Sequence, residues 1–263
     1  MQIIENPDEF SSRFTRWNVR EDLSGYPWIE NRNTPFTPLK RALPLLNLAL
    51  ISSAGAYING TETFDIESKD GDLTYREIPV EVGASDLKYA AKGYDTTDIL
   101  EDRNSQIPIE RLREYQENAV IGQLNNVWWS VSSFIPNAVR VADELGPALA
   151  ERLQRYEVHA ALLIPASPLC HQTLALIART IEAAGTPTMM ISVDRDLSDR
   201  VKAPRSAYYK GDFGSVAGKP NWREYQLRVL DESIRWIETF DQPGTRKLAV
   251  DLETAVETAR GER

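Results

Sequence analysis

The sequence predicts an α/β fold, with a mostly parallel sheet and flanking helices in doubly wound layers. Three observations carry this expectation. His159 to Pro165 (HAALLIP) and Thr188 to Val193 (TMMISV) are compact apolar runs of strand length. Between them, Leu174 to Ala184 (LALIARTIEAA) has the spacing of an amphipathic helix and is closed by Gly185. A strand–loop–helix–strand unit of this kind defaults to a right-handed parallel crossover. Pro44 to Ile51 is a third apolar run bounded by turn signals, and reads as a buried strand.

The other elements follow in order. Residues 1–40 are polar and aromatic, punctuated by PW, NRNTP and FTP, and read as a short helix followed by an irregular arm. The α/β domain spans 41–240, with room for two lobes at about 41–137 and 138–240. Residues 61–85 carry a D-G turn and loosely alternating Leu73, Tyr75, Ile78 and Val80, as in a hairpin or an excursion on the sheet edge. Leu87 to Ala91 is a weak strand, and Asp95 to Ile107 reads as a polar loop. Pro108 then opens a helix to Asn118, where its missing donor costs nothing. An apolar aromatic segment runs from Val127 to Ile135. Val139 to Tyr156 has helical spacing, divided into two helices by Gly146 and Pro147. Ala207 to Lys210 suggests a short strand and Asn221 to Phe240 a long helix. Residues 241–263 read as a charged tail, helical or frayed.

Composition narrows the function. The chain has 263 residues and a net charge of -9, which gives no electrostatic footprint for nucleic acid. Its one Cys excludes an intrachain disulfide and a Cys-clustered metal site. With two His, a His-rich metal centre is not expected either. The longest apolar stretch, Ala42 to Ile51, is too short to span a bilayer. A free Cys and no signal-peptide pattern fit a reducing cytoplasm.

Parallel sheets bind ligands beyond the carboxyl ends of their strands. Two segments meet that condition: Ser52, Ser53, Ala54 and Gly55 after the first strand, and Ala166 to Thr173 after the central one. Small residues in the first let a backbone turn approach a ligand. The second holds Cys170 and His171 just before a helix, whose exposed amides and partial positive charge stabilise a thiolate. The competing reading makes Cys170 a small buried hydrophobe, His171 a capping residue and His159 structural. Asp95, Asp98, Asp102 and Asn104 cluster in GYDTTDILEDRNSQIP, as cation or amine ligands or as caps for nearby helices. Glu77 reads as a solvated charge and Trp128–Trp129 as core or interface. In GDFGSVAGKP, Gly214 and Gly218 lie before the last long helix, where a loop either binds a carboxylate or simply connects. It has neither the Walker spacing nor a dinucleotide fingerprint.

In order along the chain stand SSAGAY (52–57), GDLTYREIP (71–79), YDTTD (94–98), DRNSQIPIERLREY (102–115), IGQL (121–124), the Cys170 segment IPASPLCHQT, LIARTIEAAGTPT (176–188) and GKPN (218–221). Together they resemble the component-B selenoprotein subunits of glycine, sarcosine, betaine and D-proline reductases, over most of residues 45–240. The resemblance implies a selenocysteine or cysteine nucleophile that attacks carbon next to nitrogen, with reductive C–N cleavage. Cys170 takes that position, and Ser52–Gly55, Asp95, Asp98, Asp102 and Asn104 would line or brace the pocket. The chain departs from the family in having no second redox residue. Ser167 stands three residues before Cys170, where a redox partner would be expected, and Ala91 and Gly93 occupy a stretch where the family tends to have His.

The expectation is therefore a thiol-dependent enzyme acting on a small amino-acid-like or heterocyclic molecule. Cys170 would be its nucleophile and His171 would aid ionisation. The chain would bind no cofactor of its own, and would draw electrons from an external thiol or a thioredoxin-type donor. It would work as a homo-oligomer or in a hetero-complex. Two alternatives stand beside this: a non-catalytic partner subunit of a multi-chain reductase, and a non-redox lyase or racemase using the same thiolate.

Overall fold

The computed structural model describes residues 2–4 and 28–259. The helix expected early in the N-terminal arm lies outside the described residues. Those described there are two short strands, β1 (Gln2–Ile4) and β2 (Trp28–Glu30), which pair antiparallel.

The main sheet is built from β3 (Asn47–Ser52), β5 (Tyr75–Pro79), β7 (Gln123–Leu124), β8 (Val127–Val131), β9 (Ala160–Ile164), β10 (Thr188–Ser192), β11 (Arg205–Tyr208) and β12 (Gly244–Lys247). Their order is β12-β11-β10-β9-β3-β8-β5, with β7 on β3. Every pairing is parallel except the edge strand β5, which runs antiparallel to β8. The expected α/β fold with a mostly parallel sheet is thus present. A small antiparallel pair, β4 (Ala56–Ile58) with β6 (Leu87–Tyr89), stands off it.

The central strands β3, β8, β9 and β10 are mostly apolar because both faces are covered, whereas β5, β11 and β12 toward the sheet edges carry charged side chains. Alternate side chains enter opposite layers. On β3, Leu48 and Leu50 join one core, Ala49 and Ile51 the other; on β9, Leu162 and Ile164 part from Ala161 and Leu163 in the same way. One layer is closed by α2 (Ile109–Glu117) and α7 (Arg223–Thr239). The other is closed by α3 (Ala138–Arg140), α4 (Gly146–Arg155) and α5 (Pro168–Ala183). Three further helices are α1 (Thr97–Glu101), α6 (Arg195–Val201) and α8 (Val250–Ala259). Among the described residues no helix is long and apolar enough to cross a membrane.

Several local expectations are corrected. The run from Pro44 does not begin as a strand: Leu43–Leu45 is a 3-10 turn, with Pro44 at its start, and β3 begins at Asn47. The loop Asp95–Ile107 contains α1 and a 3-10 turn, Arg103–Ser105, capped by the Asp102 carboxylate. Gly146–Pro147 does not separate two helices. A π turn, Val141–Leu145, carries the helix through, with the Gly146 amide reaching back to the Val141 carbonyl. The missing donor of Pro147 is absorbed by this wider turn. A β-carbon at Gly146 would lie 2.7 Å from Thr180 Oγ1, so glycine also sets the approach of α4 to α5. The C-terminal segment contributes an edge strand, β12, ahead of α8. The loop after β9 is shorter than expected, since α5 starts at Pro168, and Cys170 and His171 lie in its first turn.

Candidate functional site at the carboxyl edge of the sheet

From β3 the chain passes to β8 on one side and then crosses to β9 on the other. The carboxyl ends of β3, β8 and β9 therefore flank a topological switch point. Three turns meet there: Ser53–Gly55 after β3, Ser132–Phe134 after β8 and Pro165–Ser167 after β9.

The turns are stitched together by short polar side chains. Ser53 N–H donates to the Ile164 carbonyl at 3.3 Å, and its Oγ accepts the Ala166 amide at 3.1 Å. Gly55 N–H donates to the Val131 carbonyl at 3.1 Å. Gly55 has φ +65, and a β-carbon there would sit 2.4 Å from the Ala90 carbonyl oxygen, so only glycine fits. Ser167 caps α5 by accepting the Cys170 amide at 3.1 Å. Gln106, fully buried, donates to the Ile164 carbonyl at 3.3 Å and accepts the Val216 amide at 3.0 Å.

Cys170 is at the centre and is 1% exposed. Its Sγ donates to the Ser133 carbonyl at 3.2 Å and to that of Ser53 at 3.5 Å. Two carbonyl acceptors favour the thiol over the thiolate. Burial pushes the Cys170 thiol above its ordinary value, outweighing hydrogen bonds from Ser167 and Ser53. The helix start that was expected to ionise Cys170 is thus opposed by desolvation and by the two carbonyls.

His171 is buried and engaged elsewhere. Its Nε2 accepts the Val193 amide at 3.2 Å, so Nδ1 carries the proton and donates to the Ser167 carbonyl at 2.8 Å. Phe213 meets the ring edge-on at 5.3 Å between centroids. Burial lowers the His171 pKa, with Asp194 opposing. Both ring nitrogens act on backbone, which is a bracing arrangement.

The Asp-rich cluster divides. Asp95 Oδ1 accepts from Thr97 N–H and Oγ1 at 2.9 and 2.7 Å, an Asx-type turn, and Asp98 stands in the first turn of α1. Asp102 accepts from the Asn104 amide, Asn221 N–H and Gln226 Nε2 at 3.0, 3.0 and 2.6 Å. Together these bonds outweigh its burial and hold its carboxyl below the usual range. Asn104 accepts the Glu110 amide at 3.2 Å at the head of α2. Among the described residues no group of three His, Cys, Asp or Glu converges as a metal site would require.

The glycine loop does reach the site. Gly214 N–H donates to the Ala166 carbonyl at 3.0 Å, and a β-carbon on Gly214 would lie 2.4 Å from the Asp95 carbonyl. The amides of Val216, Ala217 and Gly218 donate to Gln106, the Ser105 carbonyl and the Ser215 carbonyl. Ser52 Oγ accepts the Ala54 amide at 3.4 Å. Glu77, on the edge strand, accepts from Arg152, Trp129 and Tyr156, and Arg152 holds it below the usual carboxylate range. His159 Nδ1 accepts the Asn47 amide at 2.9 Å.

Sequence reasoning missed Ser133, Gln106 and Tyr94. The Ser132–Ser133 pair after an apolar run repeats the pattern of Ser52–Ser53 at the end of β3, and that repetition was a usable signal. Two surface clefts, of about 390 and 440 Å3, are lined by residues such as Tyr115 and Leu227, and Tyr75 and Arg152. Neither is lined by Cys170 or the three turns.

A doubly wound α/β protein with a buried cysteine at its switch point is the class these features define. The family model for glycine/sarcosine/betaine reductase selenoprotein B (GRDB) matches residues 45–166. D-proline reductase subunit gamma of Acetoanaerobium sticklandii is 26% identical over 209 residues, 80% of this chain and 85% of that protein. The glycine reductase complex component B subunit gamma of Symbiobacterium thermophilum is 28% identical over 185 residues, 68% of this chain and 42% of that protein. The sarcosine reductase complex component B subunit beta of Peptoclostridium acidaminophilum is 24% identical over 186 residues, again 68% of this chain and 42% of that protein. This chain therefore spans under half of the glycine and sarcosine relatives, and most of the D-proline one. No solved structure matches. The chain is similar to the component-B reductase subunits over these residues, as its motifs suggested.

Proposed function

We propose that this chain is a thiol-bearing subunit of a multi-chain reductase of the component-B type, closed when alone. Its substrate is a small amino-acid-like molecule with a C–N bond to be cleaved, and Cys170 is its thiol. The observation that carries this reading is the placement of Cys170 at the switch point, in the first turn of α5, with Sγ hydrogen-bonded to the Ser53 and Ser133 carbonyls.

Stoichiometry supports a partner. Reductive C–N cleavage takes up two electrons and two protons, which two thiols supply by closing one disulfide. The chain has one cysteine, so the second sulfur comes from outside, from another subunit or a thioredoxin-type protein. The relatives are named as subunits, which fits this need.

The first test is the pH dependence of iodoacetamide alkylation of Cys170 in the native chain, read by mass spectrometry. Slow modification with an apparent pKa above the usual ~8.5 is expected. Rapid modification with a lower pKa would show an autonomous thiolate and overturn the closed reading. A second reading, a scaffold whose cysteine never reacts, is favoured by the complete burial of the thiol. Wild type and Cys170→Ser, each in complex with co-purifying partners and dithiothreitol, separate the two on D-proline, sarcosine and glycine. Product that depends on Cys170 supports the enzyme; equal product from both supports the scaffold.

A further inference from the structure

We propose that residues 90–95 form a strap over Cys170, and that local release of this strap gives a reactant access to the thiol. The inference rests on Cys170 being the group that reacts at this site.

The segment lies between β6 and α1 and makes no ladder or helix of its own. It crosses all three turns. Ala90 N–H donates to the Gly55 carbonyl at 2.9 Å. Ser133 Oγ donates to the Ala90 carbonyl at 2.7 Å and accepts the Lys92 amide at 2.9 Å. The Lys92 ammonium lies 4.3 Å from the centre of the Phe134 ring. Gly93, at φ +84, passes over the cap of α5, where a β-carbon would sit 3.6 Å from Ser167 Cβ. Tyr94 OH donates to the Ala54 carbonyl at 2.7 Å. Outside the strap, Gly214 packs on the Asp95 carbonyl.

Hydrogen bonds to Gly55, Ser133 and Ala54 tie the strap to the rim of the site, two of them through the one Ser133 hydroxyl, and away from the rim Lys92 Nζ reaches the Ile66 carbonyl at 3.3 Å and Glu67 at 3.6 Å. The sheet beneath is held by continuous ladders on β3, β8 and β9. Local opening takes the segments with the fewest cooperative bonds first. The strap meets that condition and the strands do not. Its lifting removes the contacts that cover the turns and withdraws Tyr94 from the edge of one core, while the strand ladders stay in place.

Alkylation of Cys170 by iodoacetamide tests this in wild type, Tyr94→Phe and Tyr115→Phe, each without urea and in dilute urea below the unfolding transition. Tyr115 donates to the Leu227 carbonyl at 3.0 Å on the far side of α2, so its variant loses a comparable bond away from the strap. Tyr94→Phe is expected to speed modification about fivefold, the factor for one net hydrogen bond. Tyr115→Phe is expected to leave the rate unchanged. Strap opening exposes little surface, so the rate should barely respond to urea, whereas access by global unfolding depends on it steeply. Equal acceleration by both variants, no acceleration by Tyr94→Phe, or a steep urea dependence would overturn the strap. Where Tyr94→Phe does not fold, Ser133→Ala, which removes two strap bonds, takes its place. A wild-type thiol as fast as a free one would overturn the closed site itself, an outcome distinct from any ratio between variants.

Discussion

The two edges of the sheet are held by different chemistry. At the amino edge, where β10 and β11 begin, Arg205 and Glu182 form a fully buried ion pair. Arg205 Nη2 also donates to the Thr37 carbonyl at 2.6 Å, and its guanidinium covers the Phe36 ring at 3.9 Å. Glu182 accepts the Thr37 and Thr188 amides at 2.5 and 2.7 Å. At the carboxyl edge, the groups around Cys170 are hydroxyls, amides and carbonyls, and the thiol itself is held neutral. A buried charge fixes its surroundings strongly because either partner left alone is very costly. Neutral hydrogen bonds each contribute about 1 kcal/mol net and can be exchanged locally. The amino edge is therefore an anchor, and the carboxyl edge is the part that can open.

The largest expected effect breaks the anchor. Glu182→Ala leaves Arg205 buried without its counter-charge and should cost about 3–5 kcal/mol in urea unfolding. A cost under about 1 kcal/mol would mean that the two edges do not differ as argued. Next, Gly55→Ala forces a side chain into the left-handed region and against the Ala90 carbonyl. About 2–3 kcal/mol should be lost, with faster alkylation of Cys170 because the same clash lifts the strap. Asp102→Ala removes the acceptor shared by Asn104, Asn221 and Gln226, and should cost about 1–2 kcal/mol. That loss should leave Cys170 reactivity unchanged below the unfolding transition.

The smallest effect is a pH slope. Burial depresses the folded-state pKa of His171 below its unfolded value of about 6.5. The unfolded chain therefore takes up a proton that the folded chain refuses. This contribution is complete above the unfolded pKa and is lost as pH falls toward the folded one, by up to about 1.4 kcal/mol per pH unit. His159 is depressed in the same direction and stays in place as a background. Stability of wild type and His171→Gln, measured between pH 7.5 and 5.5, should show a flatter slope in the variant. Parallel slopes would mean that the imidazole is not held neutral.

Much of this was legible along the chain. Mostly apolar runs at 160–164 and 188–192, with an amphipathic segment between them, point to parallel strands covered on both faces, because such a sheet buries both faces of the run. Gly55, Ser53 and Cys170 could be named from their position after strands, since the fold class alone tells where ligands approach. Three things were not legible. The start of α5 at Pro168 depends on the Ser167 cap, which a loop of the same composition would not need. The π turn at 141–145 is a tertiary accommodation of Pro147 against α5. The edge strand β12 has little apolar signal of its own, and pairs because β11 offers an open ladder.

The sequence by itself determined the fold class, the likeness to component-B reductase subunits, and the place of the one cysteine beyond the central strand. These follow from period, turn residues and local motifs, which act over a few neighbours. Only the tertiary structure decided the state of that cysteine. Its proton is kept by carbonyls from residues 37 and 117 positions away, and its cover is a segment from the first half of the chain. Protonation and access depend on dielectric and on distant acceptors, and no local pattern encodes either.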